Sequence, residues 1–174
     1  MKWIKKILSV GLILIFANAC YYIEASSEKT DIQVGDTVGV NVWVVERVFN
    51  VWGKQIRRGA EDIYGVAFEL DYDPAILNFV EAQNLGGLAN SDVMTAFRNS
   101  TTDNGQLVIG ISKSGQEQGN ETPMGLVRIV FQAVSSGTAE ITIRDDHLIN
   151  SKGETGFNIF PGKGKPKGCA INVQ

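Results

Sequence analysis

Apolar and polar residues alternate with a period of two over most of this chain. Val38, Val40, Val42 and Val44 form one long run, with the intervening side chains on the other side. Because successive side chains of an extended strand point to opposite faces, this alternation predicts a strand with one buried face. Clusters of Gly, Asn and Asp separate this run from the next ones, and the whole pattern predicts an all-β domain. The later runs lie at 107–111, 129–133, 139–143 and 169–173.

Residues 64–80 add a turn of recognisable chemistry to the alternation. Phe68 and Leu70 fall on one side of the extended chain, and Asp73-Pro74 follows shortly after. The fixed φ of proline suits the first position of a helical turn, where its missing N–H costs nothing. The carboxylate of the preceding aspartate can cap that turn. The segment therefore predicts a strand, a capped turn and a second strand.

Two segments depart from the simple strand pattern. Residues 91–98 space their apolar side chains as a helix would, and they form the one predicted helix. Residues 47–63 are long for a loop and predict a protruding hairpin that turns at Trp52-Gly53. Because no long helices intervene, strands of this number and length favour two packed sheets. We therefore expect a β-sandwich.

The first residues have the composition of an export signal. Lys2, Lys5 and Lys6 precede an apolar run at 7–16, and small residues follow at 17–19. This order is typical of bacterial-type secretory signals. The apolar run is shorter than the roughly 20 residues that a membrane-spanning helix needs. We therefore expect an exported protein that is either secreted or anchored to the cell envelope.

Two cleavage positions fit this segment. Cys20 follows Ala19 directly, as in a lipoprotein cleavage box, and cleavage there would make Cys20 a lipidated first residue. Ordinary cleavage after Ala19 or after Ala25 is the alternative. A membrane contact is expected only through a lipid on Cys20. We assign residues 1–25 to the export signal and tether, and residues 26–174 to the domain.

The charge of the chain argues against nucleic acid as a partner. The 174 residues include 16 basic and 19 acidic side chains. Three of the basic residues and none of the acidic ones lie in the first 19 positions, which leaves 13 basic and 19 acidic residues. The remaining chain therefore has a formal charge of −6. An acidic domain repels the phosphate backbone, so we expect no nucleic-acid partner.

The residues that could support catalysis or metal binding lack the spacing that such chemistry needs. His147 is the single histidine, and neither Gly-x-Ser-x-Gly nor His-Glu-x-x-His occurs. Asp71 and Asp73 lie on one strand, whereas glycosidase carboxylates come from separate elements. Asp145, Asp146 and Glu154 do not have the spacing of a calcium-binding loop and are interpreted as a solvated acidic loop. We therefore expect a protein that is not an enzyme and has no cofactor.

Two features near the C-terminus have simple structural interpretations. Lys163, Lys165 and Lys167 are interpreted as a solvated loop, with contact to an anionic polymer or phospholipid as the alternative. Cys169 begins the alternation of the last predicted strand, so we expect a buried thiol that behaves as a small apolar side chain.

Trp43 is the most informative candidate for a binding residue. The valines on either side point inward, so Trp43 faces outward together with Asn41 and Val45. An outward aromatic side chain on a sheet is expected to be covered or to bind something. Packing by the hairpin around Trp52 is favoured, and anchoring of a protein partner or stacking on a sugar ring is the alternative. As partner-binding candidates we select the outward residues Trp43, Trp52 and Arg128.

Several motifs, taken in order, resemble the cohesin modules of cellulosome scaffolds. The chain has a Val-Gly-Asp turn at 34–36 and a Phe-x-Leu-x-Tyr-Asp-Pro run at 68–74. A Gly-led Ile-x-Phe strand at 125–131 is followed by Ser-Gly-Thr at 136–138. An Asp-containing stretch that ends in Gly-Glu lies at 145–154. The resemblance spans almost the whole chain after the export signal.

This resemblance implies a jelly-roll sandwich of about nine strands. It also implies a non-catalytic module that binds a protein partner, a calcium-loaded dockerin, through one sheet face in a polysaccharide-degrading or cell-surface assembly. The segment 47–63 is longer than the usual connection in the family, and no motif places the dockerin contacts on this chain. A carbohydrate-binding sandwich with polysaccharide as its ligand, and a structural envelope domain, are the alternatives.

Overall fold

The computed structural model describes residues 21–51, 53–88, 93–98, 104–155 and 164–174. These residues contain eleven strands and no helix, so none of them forms a helix long and apolar enough to cross a membrane. In chain order the strands are β1 (Tyr21–Ser27), β2 (Asp31–Ile32), β3 (Thr37–Val51), β4 (Lys54–Arg58), β5 (Ile63–Asp71), β6 (Leu77–Asn84), β7 (Val93–Arg98), β8 (Gln106–Ser112), β9 (Met124–Ala133), β10 (Gly137–Asn150) and β11 (Cys169–Val173).

The strands form two sheets that share one core. The first sheet has the order β1-β3-β9-β6, and β4 pairs with the end of β3. The second sheet has the order β2-β11-β10-β5-β8-β7. Between the described strands, β2 and β11 pair in parallel and the other ladders are antiparallel. The predicted all-β sandwich is therefore confirmed, with eleven described strands where about nine were expected.

The alternation along the chain places one face of each sheet in the core. The four inward valines of β3 are at most 3% exposed. Phe68 of the second sheet and Phe131 of the first are 1% and 0% exposed. The ring centroid of Tyr72 lies 4.9 Å from that of Phe131, which joins the two layers. Burying a side chain of this size stabilises the fold by about 1.5–3 kcal/mol.

Asp73 caps the turn after β5, as predicted. Its Oδ1 accepts a hydrogen bond from the N–H of Ala75 at 2.9 Å. Its backbone carbonyl accepts another from the N–H of Leu77, also at 2.9 Å. The turn thereby sets the start of β6, where Leu77 pairs with Ala133.

The first strand, β1, overlaps residues 1–25, which the sequence analysis assigns to the export signal and tether. Tyr21, Ile23 and Ala25 face the core and are 4%, 0% and 3% exposed. β1 pairs with β3 over its full length, beginning with Tyr21 opposite Glu46. β1 therefore places residues 21–25, which were expected in the export signal and tether, in the described sandwich. Its short alternation is hard to separate in the sequence from the apolar run at 7–16.

Residues 93–98 form an edge strand, so the predicted helix is wrong there. β7 pairs antiparallel with β8, from Val93 opposite Ser112 to Arg98 opposite Leu107. Apolar spacing over so short a run fits either structure. The ladder with β8 decides between them, because an isolated helix of this length is not stable in water.

The hairpin predicted within residues 47–63 is confirmed. β3 continues beyond the first residue of β1 and pairs with β4, ending with Val51 opposite Lys54. Gly53 has a φ of 77°, a left-handed conformation that glycine adopts without strain in a tight connection. The hairpin therefore projects past the start of β1 at one end of the first sheet.

Candidate docking faces of the sandwich

The outward side of the first sheet carries two of the three predicted binding residues. We name it the Trp43 face and define it by Glu24, Asn41, Trp43, Gly125 and Arg128. Trp43 lies opposite Glu24 on one side and Gly125 on the other, and Asn41 lies opposite Arg128. The third predicted residue, Trp52, lies outside the described residues.

Trp43 packs on Gly125 and remains partly exposed. A Cβ on Gly125 would lie 3.2 Å from the indole Cζ3 and 3.2 Å from the Cβ of Leu85, so a larger residue there would crowd both side chains. Trp43 and Leu85 are each 39% exposed. The described support of the indole thus comes from β9 and from the chain after β6. The predicted cover by Trp52 lies outside the described residues.

Arg128 is held by a two-point ion pair on the same face. Its Nε and Nη2 donate to Oε1 and Oε2 of Glu28 at 2.6 and 2.8 Å. Its Nη1 donates to Gln83 at 3.4 Å, and Asn41 donates to Glu28 at 3.5 Å. The hydrogen bond from Arg128 lowers the pKa of Glu28 below its ordinary value of 4.5. Arg128 faces outward as predicted, and its guanidinium is already paired within the chain.

Gly39 makes room for this ion pair, a role that the sequence pattern did not reveal. A Cβ on Gly39 would lie 2.5 Å from Oε2 of Glu28 and 2.6 Å from Nη2 of Arg128. The two charged groups therefore cross directly over the β3 backbone. A glycine inside a strand is the only sequence signal for such a close approach.

A lysine covers the tyrosine at the edge of the Trp43 face. The Nζ of Lys167 donates to the Tyr22 hydroxyl at 2.9 Å and lies 4.2 Å from the ring centroid. The hydrogen bond with Tyr22 raises the pKa of Lys167. Among the side chains that the structure describes, which leave out those of Phe49 and Phe97, Trp43 is the most exposed large aromatic residue.

The outward side of the second sheet is a second candidate surface, with small side chains at its centre. We name it the Gly110 face and define it by Ala67, Glu69, Val108, Gly110 and Arg144. Ala67 lies opposite Gly110, and a Cβ on Gly110 would meet nothing within 4 Å. Val108 is 40% exposed. The middle of this face is therefore open to a flat partner.

Arg144 holds the acidic residues of the Gly110 face. Its Nε lies 2.6 Å from Oδ2 of Asp71 and 3.3 Å from Oε2 of Glu69. Gln106 donates to Glu69 at 2.8 Å. Asp71 is therefore one partner of an ion pair, while Asp73 caps the turn. Each of these two aspartates has a structural partner of its own.

A bulge in β10 turns Asp146 into the interior, so the solvated loop expected for the acidic residues is wrong at Asp146, whereas Asp145 and Glu154 are exposed. The register with β5 shifts between Arg144 and His147, and Asp145 has a φ of 47°. Asp146 is 2% exposed as a result. Burial and then the charge of Asp146 raise the pKa of Tyr21 to about 12. Among the described residues, no group of three His, Cys, Asp or Glu side chains could hold a metal ion.

Cys169 has the apolar setting that the alternation predicted. It is a free thiol that packs against the core, next in the pattern to the buried Ile171 and Val173. Burial raises the pKa of the Cys169 thiol. Because the thiolate is the reactive form, this cysteine is poorly suited to nucleophilic chemistry.

Two packed, mainly antiparallel sheets define the class of this protein as an all-β sandwich. No protein-family model matches the chain, and no curated protein matches it in sequence. Solved structures do match. A cohesin module of a family 33 glycoside hydrolase from Clostridium perfringens has a TM-score of 0.63 at 11% identity, over 90% of this chain and 98% of that one. A non-cellulosomal cohesin from the archaeon Archaeoglobus fulgidus has a TM-score of 0.62 at 13% identity, over 90% and 92%.

A third neighbour was solved with a bound partner. The sixth cohesin of scaffoldin B from Acetivibrio cellulolyticus, in complex with a Cel5 dockerin, has a TM-score of 0.63 at 14% identity. The match covers 90% of this chain and 100% of that one. This chain therefore has a cohesin-like fold, and the resemblance carried by the sequence motifs is confirmed at the level of the fold.

Proposed function

We propose that this protein is an exported, non-catalytic interaction module that binds a protein partner through one sheet face. The observation that supports it is the cohesin-like sandwich, which spans about nine-tenths of the chain in each comparison. Neighbours from Acetivibrio cellulolyticus and Clostridium thermocellum were solved in complex with dockerins. The proposed partner is accordingly a calcium-loaded dockerin-type module, in a cell-surface or polysaccharide-degrading assembly.

The Trp43 face is the proposed docking surface. Trp43 and Leu85 present a partly exposed apolar pair that rests on the sheet and is already held in position by Gly125. A rigid, half-exposed tryptophan is the kind of residue that concentrates binding free energy at interfaces. Arg128 adds an oriented guanidinium to the same face.

The Gly110 face is the second candidate surface for the same function. Its small central residues leave the backbone accessible, and Val108 supplies one exposed apolar side chain. The ion pairs of Arg144 fix the charged side chains around it. A partner helix laid flat on the sheet would meet little steric obstruction from the described residues there.

Sugar binding is the alternative function and has weaker support. A sheet that stacks on sugar rings needs exposed aromatic side chains side by side. Lys167 lies over the ring of Tyr22, and Trp43 is the one exposed aromatic among the side chains described on this face, which leave out that of Phe49. One exposed ring offers a polysaccharide less contact than a compact protein partner would receive.

Calorimetric titration against dockerin modules encoded in the same organism tests the proposal. The bait is residues 20–174 with Cys20→Ser, which retains every described strand. We expect binding with calcium and none after chelation, because the partner needs calcium to hold its shape. Binding of a polysaccharide by the bait, together with no binding of any dockerin, would contradict the proposed function.

Matched variants on the two faces then locate the surface. We expect Trp43→Ala to weaken binding by roughly tenfold or more, and Val108→Glu to leave the Kd within about twofold. The reverse result would assign docking to the Gly110 face. Circular dichroism of both variants checks that the fold is unchanged, which is expected because both side chains are exposed.

A further inference from the structure

Basic side chains lie along the hairpin from its base to its turn, on the edge of the first sheet. A cleft of about 590 Å³ is lined by Tyr22, Arg47, Lys165 and Lys167, among others. Arg57 lies beside it, opposite Val48 in the hairpin ladder. Lys54 follows the hairpin turn and is exposed. We name these cations the basic patch and define it by Arg47, Lys54, Arg57, Lys165 and Lys167.

The basic patch is positive although the chain as a whole is acidic. Nearby, Glu46 pairs with Arg57 at 2.8 Å and Glu24 lies 3.8 Å from Lys167. Glu46 also lines the cleft. The five cations of the patch outnumber these two acids, and the excess of positive charge favours a negatively charged ligand.

The basic patch lies next to the start of β1, directly after the segment that the sequence predicts to be an export signal. β1 begins at Tyr21, directly after Cys20, and the N–H of Gly164 donates to the Tyr21 carbonyl at 2.6 Å. The cleft therefore lies beside the point where the chain enters the sandwich. A lipid on Cys20, or retention of the apolar run at 7–16, would bring the patch to a bilayer without any spacer.

We propose that the basic patch docks on the anionic phospholipid surface of a membrane. Arginine and lysine are the side chains that bind phosphate oxygens, and the cleft offers both types around one opening. Each basic residue near an anionic leaflet contributes about 1 kcal/mol, and that contribution falls off within about a Debye length. A single lipid chain binds a membrane only weakly, and a basic patch commonly supplies the additional affinity that stable anchoring needs.

The contact is confined to the edge formed by β1 and the hairpin. The adjoining loops of the second sheet carry the acids Asp62 and Glu154, which an anionic surface repels. Asp62 accepts hydrogen bonds from Gly119 and Ser151, and these bonds lower its pKa, so it stays charged. The patch adjoins the margin of the Trp43 face, where Lys167 lies 3.8 Å from Glu24.

Sedimentation with lipid vesicles tests the proposal on residues 20–174 carrying Cys20→Ser, so that no lipid is attached. The vesicles contain either phosphatidylcholine alone or phosphatidylcholine with about a quarter phosphatidylglycerol. We expect binding to the anionic vesicles in about 0.05 M salt and release in about 0.5 M salt, because salt screens the attraction. Equal binding to both kinds of vesicle would overturn the proposal.

Two double variants with the same change in net charge separate this site from general electrostatics. Lys54→Glu with Lys165→Glu is expected to lower vesicle binding by roughly tenfold or more, since both lysines belong to the patch. Lys29→Glu with Lys152→Glu, two exposed lysines outside the patch, is expected to change it by less than about twofold. Equal losses in the two variants, or binding to heparin with none to anionic vesicles, would reject the membrane as the ligand.

Discussion

Glu28 and Arg128 lie 100 positions apart in the chain and meet in a two-point ion pair over the backbone of Gly39. The pair connects the segment after β1 to β9, across β3. Its side chains are 38% and 29% exposed, so water screens their attraction. We therefore expect the pair to stabilise the fold by less than about 1 kcal/mol and to orient Arg128 for a partner.

Glu28→Gln is expected to remove part of the acid sensitivity of the fold. The pKa of Glu28 is lowered in the folded state, so its contribution is fully present above the ordinary value of 4.5 and disappears as the pH falls through the folded value. Urea unfolding should show the variant less stable by about 0.5 kcal/mol near neutral pH, and the difference should disappear once the pH is below the folded-state pKa of Glu28. A difference that persists at low pH would show that the carboxylate charge is not the cause.

Gly39→Ala is expected to displace the same ion pair. The new Cβ would lie 2.5 Å from the Glu28 carboxylate, and the flexible ends of both side chains would have to shift. The loss of unfolding free energy should be about 0.5–1 kcal/mol in the wild type and smaller in the Glu28→Gln background. Equal losses in the two backgrounds would show that the new methyl group strains the backbone instead.

Phe131→Ala is expected to be among the most damaging single changes. The ring is fully buried and contacts Tyr72 and Phe79, whose centroids lie 4.9 and 6.4 Å away. Removing it should lower the unfolding free energy by about 3–5 kcal/mol. Val108→Ala is the matched control at an exposed strand position and should cost less than about 0.5 kcal/mol. Similar losses in the two variants would contradict the described core.

Removing residues 21–25 is expected to damage the sandwich. The deletion takes away the buried side chains of Tyr21 and Ile23 and uncovers the edge of β3. Each large side chain contributes about 1.5–3 kcal/mol of burial free energy. Thermal unfolding of residues 20–174 and 26–174 makes the comparison. Equal melting temperatures would show that β1 is dispensable.

Asp146→Asn is expected to lower the titration midpoint of Tyr21. The Tyr21 pKa is raised from 10.0 to about 12, first by burial and then by the charge of Asp146. The variant removes only the second cause, so the midpoint should fall and still exceed 10.0. Tyrosinate absorbance follows the titration, and Tyr21→Phe identifies the step that belongs to this residue. An unchanged midpoint would show that Tyr21 does not sense the Asp146 charge.

The same shift makes the fold sensitive to strong alkali. Since the folded state holds the Tyr21 proton more tightly than the unfolded state, its contribution is complete below pH 10.0 and is lost as the pH rises through about 12. In the Tyr21→Phe variant, the unfolding free energy should fall less steeply between pH 10.0 and about 12. A curve of unchanged slope would assign the alkaline loss to other groups.

The parts of the fold that were predictable are those in which burial of one face produces a pattern within a few consecutive residues. The valines of β3 and the turn at Asp73 are set by neighbours within a few residues. β1 was missed because its alternation lies close to the apolar run at 7–16, and β7 because apolar spacing over six residues fits a helix as well as a strand.

The candidate sites were less predictable because they depend on contacts between distant residues. The outward direction of Trp43 followed from alternation, but its packing on Gly125 depends on a bulge in the β3–β9 ladder. The pairing of Arg128 with Glu28 has no local signal. The burial of Asp146 depends on the left-handed conformation of Asp145, which nothing in the sequence marks.

The parallel ladder between β2 and β11 also determines how the domain would respond to mechanical force. The chain enters beside Gly164 and ends at Gln174, whose N–H donates to the Ile32 carbonyl at 2.9 Å. Entry and exit are therefore at opposite ends of the sandwich. Tension between them would load the β1–β3 and β2–β11 ladders in shear, so that their hydrogen bonds resist together and do not open one by one.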